Sequence, residues 1–409
     1  VIKYFGLLAC ISLPLSLFAL NGAAEIGVGV KAKGMGGAGI ALPQDVFASA
    51  YNPAGLFCVG NRIDLGVGYT ALEGETQFVN ISSGTINRAP IKKIGLWFPE
   101  LGIAMRCGCN SFGLCAYVKG GMATHYDRRL YFNPRVGLQS RFDTYTIFIT
   151  PSWSYQVAPT LSLGVAINGI VQSLRNNVDW GNQSVAPNVG TQFTGFGRLG
   201  ISGGVNVRVG ALLMPRPCLK IGLTYQSWPL MNKIKEYAGQ WPQLGYWDWP
   251  QEIGIGASYC FRRCLLFAVD WNYTFWRDSS VYGNRTFRPE GEAGSALGAG
   301  LNCVNQTVWK VGVAWTPREC FTLRAGYNFG NSPITPQATQ INPLTLACVE
   351  NHVTAGATYR TCLGEVSFYY YHGFQKSVVG QGPGFAGGGT QFNLSARQNG
   401  FGLSYGRCW

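Results

Sequence analysis

Apolar and polar residues alternate at period two along many short stretches of this chain. Leu219, Ile221, Leu223 and Tyr225 interleave with Lys220, Gly222, Thr224 and Gln226, and the pattern recurs from Leu265 to Tyr273 and from Phe321 to Phe329. A period of two gives a strand one greasy and one wet face. The alternation predicts about fourteen strands, over 62–72, 100–107, 110–118, 142–156, 159–172, 196–213, 218–227, 251–261, 263–275, 306–316, 319–329, 350–360, 363–374 and 399–409. Segments 75–82 and 290–301 are also strand-like, so twelve or sixteen strands stay open. Pro151, which lacks a ladder donor, predicts a bulge in the fourth strand. Tight turns fall near 108, 158, 215, 262, 318 and 362, and the long connections alternate with them. All tight turns therefore lie at one end and all long loops at the other. That arrangement is an all-β, transmembrane antiparallel β-barrel, with lipid outside and a polar lumen.

Composition narrows the picture further. Aromatics reach 13%, charged residues only 12%, and there are 56 glycines. Beyond the N-terminal run no segment is long and apolar enough for a spanning helix, which leaves a closed barrel as the backbone able to satisfy itself in hydrocarbon. Lys3, an apolar run through Leu20, and the small residues Ala23 and Ala24 predict a signal peptide over 1–24, with a single membrane anchor as the alternative. Residues 25–58 then form an N-terminal piece and 59–409 the barrel. Phe401, Leu403, Tyr405 and Trp409 share one face of the last strand, which resembles the signal read by the bacterial outer-membrane assembly machinery; Arg407 departs from it.

Before the first strand come Gly34-Met35-Gly36-Gly37-Ala38, then Asp45, then Asn52-Pro53-Ala54-Gly55-Leu56. Further along stand Phe112-Gly113-Leu114, Gly121 through Asp127, Leu161-Ser162-Leu163-Gly164, Asp270 through Trp276, and His372-Gly373. In this order the chain resembles the FadL/TodX family of outer-membrane transporters of long-chain fatty acids and other hydrophobic compounds. The resemblance implies that 25–58 is a plug, or hatch, inside the lumen, with Gly36, Gly37, Asp45, Asn52, Pro53 and Ala54 as its gate. An ordinary N-terminal extension is the bland alternative. It also implies that ligand leaves sideways through a kinked third strand, where Gly113 and Gly120 mark the candidate lateral opening.

Strand parity points Arg208, Lys220, Lys310, Arg324 and Arg360 inward, because a long cation on the lipid face costs a few kcal/mol. Asp270 is their clearest acidic counterpart, and Arg175 is a looser candidate. A basic lumen would attract a fatty acid carboxylate; balancing luminal acids is the alternative. Trp228, Leu230, Tyr237, Trp241 and Trp247 lie in the apolar loop 228–250. They predict a hydrophobic capture groove at the outer mouth or, equally, part of an aromatic girdle. Three histidines with no catalytic or metal spacing argue against an enzyme, and neither a cofactor motif nor a nucleic-acid module is present. The net charge of +13 is dispersed in pairs such as Lys92-Lys93.

Thirteen cysteines are unusual in such a barrel. Cys218, Cys260, Cys264, Cys320 and Cys362, with Cys58, Cys107, Cys109 and Cys408, fall at the turn end. There they predict disulfides, within the chain or to other envelope proteins, with packing as unpaired thiols the alternative. The expected partners are a hydrophobic small molecule and outer-membrane lipid. The rival reading is a structural or general porin cross-linked by disulfides.

Overall fold

The computed structural model describes residues 22–127, 140–177, 197–262, 264–285, 292–381 and 389–409. The expected signal peptide lies outside them except for its last three residues. Sixteen strands form one sheet among the described residues. Fourteen close the barrel: β1 (Arg62–Asn80), β2 (Ile94–Cys107), β3 (Asn110–His125), β4 (Arg141–Ala158), β5 (Leu161–Asn176), β6 (Leu199–Arg216) and β7 (Leu219–Gln226). The wall continues through β8 (Glu252–Phe261), β9 (Leu265–Thr274), β10 (Gln306–Arg318), β11 (Phe321–Gly330), β12 (Asn351–Thr361), β13 (Gly364–Val378) and β14 (Thr390–Cys408). Each pairs antiparallel with its chain neighbours, and β14 closes on β1, with Arg62 opposite Cys408 and Asn80 opposite Thr390. Two short accessories lie off this ring. Ile86–Pro90 folds back on β1, and Leu230–Met231 prolongs the path of β7 along β6.

All fourteen expected strands are present, and the corrections lie at the loop end. β1 runs to Asn80 because its extension is held by β14 on one side and Ile86–Pro90 on the other. The described part of 290–301 carries no strand. Pro151 makes no bulge: Ile149 faces Gly169 and Ser152 faces Ala166 in one unbroken register. The missing donor is tolerated locally, and the irregularities of this region sit in β3, between Val118 and Gly120, and near the turn end of β4, between Gln156 and Ala158.

Parity sorts the side chains as expected. Leu65, Leu101, Met105, Leu114, Ile149 and Leu223 stand exposed on the outer face, where the surrounding solvent is lipid. Inward positions are polar and bonded across strands. Thr150 Oγ1 donates to Asn168 Oδ1 at 2.7 Å, and Asn168 Nδ2 donates to Asn206 Oδ1 at 2.7 Å.

The N-terminal segment fills the lumen. It contains two one-turn helices, α1 (Val30–Lys33) and α2 (Ala48–Tyr51), and a 3-10 helix over Pro53–Cys58. Asn52 caps the last of these by accepting from Ala54 N at 3.1 Å, with Pro53 at the first position where its missing N–H costs nothing. Gly36 and Gly37 turn the chain at φ +69° and +82°. Barrel glycines make room for it: a Cβ on Gly164 would strike the backbone of Pro53 and Ala54.

Candidate transport pathway

Three barrel carboxylates capture the plug by its backbone. Glu100 accepts from Gly29 N and Val30 N at 3.0 and 3.1 Å, and Asp270 from Gly39 N and Ile40 N at 2.7 and 2.9 Å. Asp64 accepts from Val46 N at 3.1 Å. Asn52 donates to Ile40 O within the plug and to Ala211 O of the wall, at 3.1 and 2.9 Å, and Ser162 donates to Ala54 O at 3.0 Å. Gly36 N donates to Thr354 Oγ1 at 2.8 Å, while its carbonyl accepts from Asn328 Nδ2 at 2.9 Å. Lys31 pairs with Glu365, which also binds Arg62 at 2.6 Å. Asp45, buried beside Lys31, Arg62 and Asp64, has its carboxyl pushed up to about 6, chiefly by desolvation.

The expected luminal cations divide into two groups. Arg208, Lys310 and Arg324 are buried beside the plug. Arg208 donates to Tyr51 O at 3.1 Å and Gln226 Oε1 at 2.7 Å; Arg324 donates to Gln44 Oε1 at 3.2 Å and Thr358 Oγ1 at 2.6 Å. The Lys310 ammonium stands 5.7 Å from the centre of the Tyr51 ring. Lys220 and Arg360 lie at the turn end, where Arg360 is exposed and bonds Glu365 at 3.0 Å.

The wall itself is interrupted between β2 and β3. Their ladder runs from Cys107 opposite Asn110 to Glu100 opposite Tyr117 and then stops. It resumes at the isolated bridge of Ile91 with Tyr126 and the bond from Lys92 N to His125 O at 2.8 Å. Between these points lies a window. The β3 bulge bends the strand there, and Lys119 turns inward to Glu252 at 3.2 Å. Behind the window Ala23 and Ala24, the last residues of the expected 1–24 signal peptide, reach the wall: Ala24 bridges Gly120, and Gly121 N donates to Ala23 O at 3.2 Å. Gly120 thus marks the bend, whereas Gly113 lies below it, in the intact ladder opposite Ser152 and packed on Leu56.

A cavity of about 40 Å³ opens at the window, lined among others by Ala23, Glu25, Thr70, Leu96, Phe98 and Met122. A smaller one of about 10 Å³ shares Gly22, Ala23 and Met122 with it and extends to Trp276, Tyr282 and Leu301 under the outer loops. None of the five expected cations lines either cavity; the charged lining residue is Glu25, which accepts from Thr70 Oγ1 at 3.1 Å.

The apolar loop differs from expectation. Tyr237, Trp241 and Trp247 are buried, so among the described residues these three form neither an open groove at the mouth nor a lipid-facing girdle. Trp241 and Trp247 pack edge-on at 5.0 Å, and both meet Phe142 of β4. The loop residues cohere because burying aromatics here removes more apolar area than the mouth could otherwise hide. Only Leu230 stands fully out, 76% exposed, with Trp228 half-buried. The twelve described cysteines are free thiols, so the expected disulfides are not formed among them. Cys218 and Cys260 nevertheless face each other, Cys260 N donating to Cys218 O at 2.8 Å. No cluster of the described residues has metal-holding character.

Sequence reasoning missed Glu25, Thr70, Leu96 and Tyr371 of the cavity and the carboxylates Glu100 and Asp64 that hold the plug. Acidic residues at inward parity opposite a glycine-rich segment were the available signal.

A comparison with curated proteins finds no match. Among solved structures, a Pseudomonas aeruginosa FadL homologue superposes with TM-score 0.70 at 17% identity, covering 96% of this chain and 100% of that one. The Pseudomonas putida toluene transporter TodX gives 0.68 at 15%, covering 94% and 99%, and the Ralstonia pickettii toluene transporter TbuX 0.65 at 17%, covering 94% and 98%. At such identities the likeness is one of fold. The profile of the outer membrane protein transport family (OMPP1/FadL/TodX) matches residues 18–406. The chain belongs to this family of outer-membrane transport proteins, which are not enzymes.

Proposed function

We propose that this protein moves hydrophobic small molecules from the outside into the outer membrane, past a closed plug and out through the window between β2 and β3. The observation that carries the reading is the cavity pair, which runs from the aromatic core of the outer loops to the window. Its lining is mainly apolar, and its one charged residue is acidic, so an uncharged hydrocarbon is the ligand it suits best. That agrees with the toluene transported by two proteins of like fold. A second reading, transport of long-chain fatty acids with the carboxylate held in the lumen, is favoured by Lys310. This buried cation has a tyrosine ring as its neighbour and Asp270 opposite it in register.

Cells lacking their own hydrocarbon transporter, expressing this chain, would be given labelled toluene, palmitate and hexadecanol. Uptake of all three well above vector controls is expected. Lys310→Met then separates the readings: selective loss of palmitate supports carboxylate binding, and equal retention supports the uncharged ligand. No uptake of any probe, together with large steady ion conductance in planar bilayers, would instead indicate a general porin. Disulfide links from the turn-end cysteines to other envelope proteins are proposed as an anchoring feature separate from transport.

A further inference from the structure

The window has an outer cover as well as an inner one. The β3 bulge shifts the strand by one residue, so Gly121 takes the outward position opposite Tyr145 of β4. Gly121 has no side chain, and the Tyr145 ring occupies the space above it. A Cβ built on Gly121 would lie 2.8 Å from the backbone Thr144 O, 3.7 Å from Tyr145 Cδ1 and 3.8 Å from Leu96 Cδ1. Tyr145 of β4 and Leu96 of β2 therefore approach one point over β3, from the two sides of the window. Leu96 lies in the stretch of β2 that has no ladder partner on β3. The Tyr145 side chain is half-buried on the lipid side, and the cavity, lined by Gly121 and Leu96 and by Glu25 and Ile26 of the plug, lies on the luminal side.

We propose that Tyr145 is the outer leaf of the window and sets the width of the molecule released through it. This rests on the lateral exit proposed above. An aromatic ring can swing about χ1 on its own, without moving backbone, because the residue beneath it is glycine. A narrow chain passes beside the ring; a broad fused-ring molecule must displace it. The mere presence of a tyrosine at the membrane interface is common. Its place over Gly121 and towards Leu96, where the ladder between β2 and β3 is broken, is what assigns it a gating role.

The test uses cells expressing the full chain and compares uptake of labelled palmitate, a slim probe, with pyrene, a broad one. Tyr145→Ala should raise the pyrene-to-palmitate ratio at least about threefold, and Tyr145→Phe, which keeps the ring, should leave it near the parent value. Tyr145→Leu stands in should the alanine variant fail to assemble, with folding followed by heat-modifiable migration. An unchanged ratio in the truncated variant, or an equal change in Tyr145→Phe, overturns the width gate. Leu96→Trp, which fills the cavity, separates the two ideas. Loss of both probes there with an unchanged Tyr145→Ala ratio leaves lateral exit standing without the gate. Full uptake by Leu96→Trp overturns lateral exit and the gate with it.

Discussion

At the scale of single residues, the plug is held by buried side chains that bond its backbone to the wall. Asn52 uses both ends of its amide, donating to Ile40 O and Ala211 O and accepting from Ala54 N. Asn52→Ala would strand two buried carbonyls and a helix-capping bond, a loss of about 1–3 kcal/mol. It should make the plug protease-sensitive in folded barrels, with the barrel itself intact. Asp45 gives a pH signature. Its folded value of about 6 lies above the ordinary 3.8, so the buried site prefers the protonated form. Stability from this group is full below about pH 4 and is lost as pH rises through 6, a difference of about 3 kcal/mol at most. Asp45→Asn keeps the acceptor for Phe47 N. It should raise the melting temperature at pH 7.5 and leave it unchanged at pH 4; a shift at both pH values would mean the charge is not the cause.

At the scale of elements, close approach and register decide the behaviour. The plug backbone lies so near β5 that any side chain at Gly164 meets Pro53 and Ala54. Gly164→Val should therefore unseat the plug and raise single-channel conductance, while the strand ladder, which tolerates valine well, stays formed. At the turn end, Cys218 and Cys260 are directly opposed on neighbouring strands, a separation that fits the 4.4–6.8 Å typical between Cα atoms of a disulfide. Oxidised envelopes should show these two protected from alkylation until reduction, whereas Cys264, opposite Thr316, should either label or cross-link to another chain. Equal labelling of all of them in unreduced envelopes would make them packing residues.

At the scale of the whole molecule, the barrel was legible because its two faces are chemically opposite and the period of two cannot be mistaken over strands of this length. Turn residues such as Gly108, at φ +57°, fixed the other boundaries. The outward extension of β1 was legible only as a strand-like stretch over 75–82; that it continues β1 without a break depends on its pairing with β14 and with Ile86–Pro90, which alternation does not show. The site was less legible still. Arg208 and Arg324 read as ligand cations because parity shows only that they point inward; that a plug would occupy their donors depends on its path through the lumen. The tryptophans of 228–250 read as exposed because a loop gives no parity, and their mutual packing with Phe142 and Tyr282 is a tertiary fact. The Gly120-Gly121 pair was the legible trace of the window.

The central claim is that a hydrophobic molecule occupies the cavity behind the β2–β3 window and leaves through the wall. Crystals soaked with 4-bromotoluene would locate it by the anomalous signal of bromine. The account predicts a peak between Leu96, Phe98 and Met122, with weaker signal towards Trp276. A peak confined to the plug's far side, among Arg324, Arg360 and Glu365, would contradict it, because that position belongs to a route through the lumen into the periplasm.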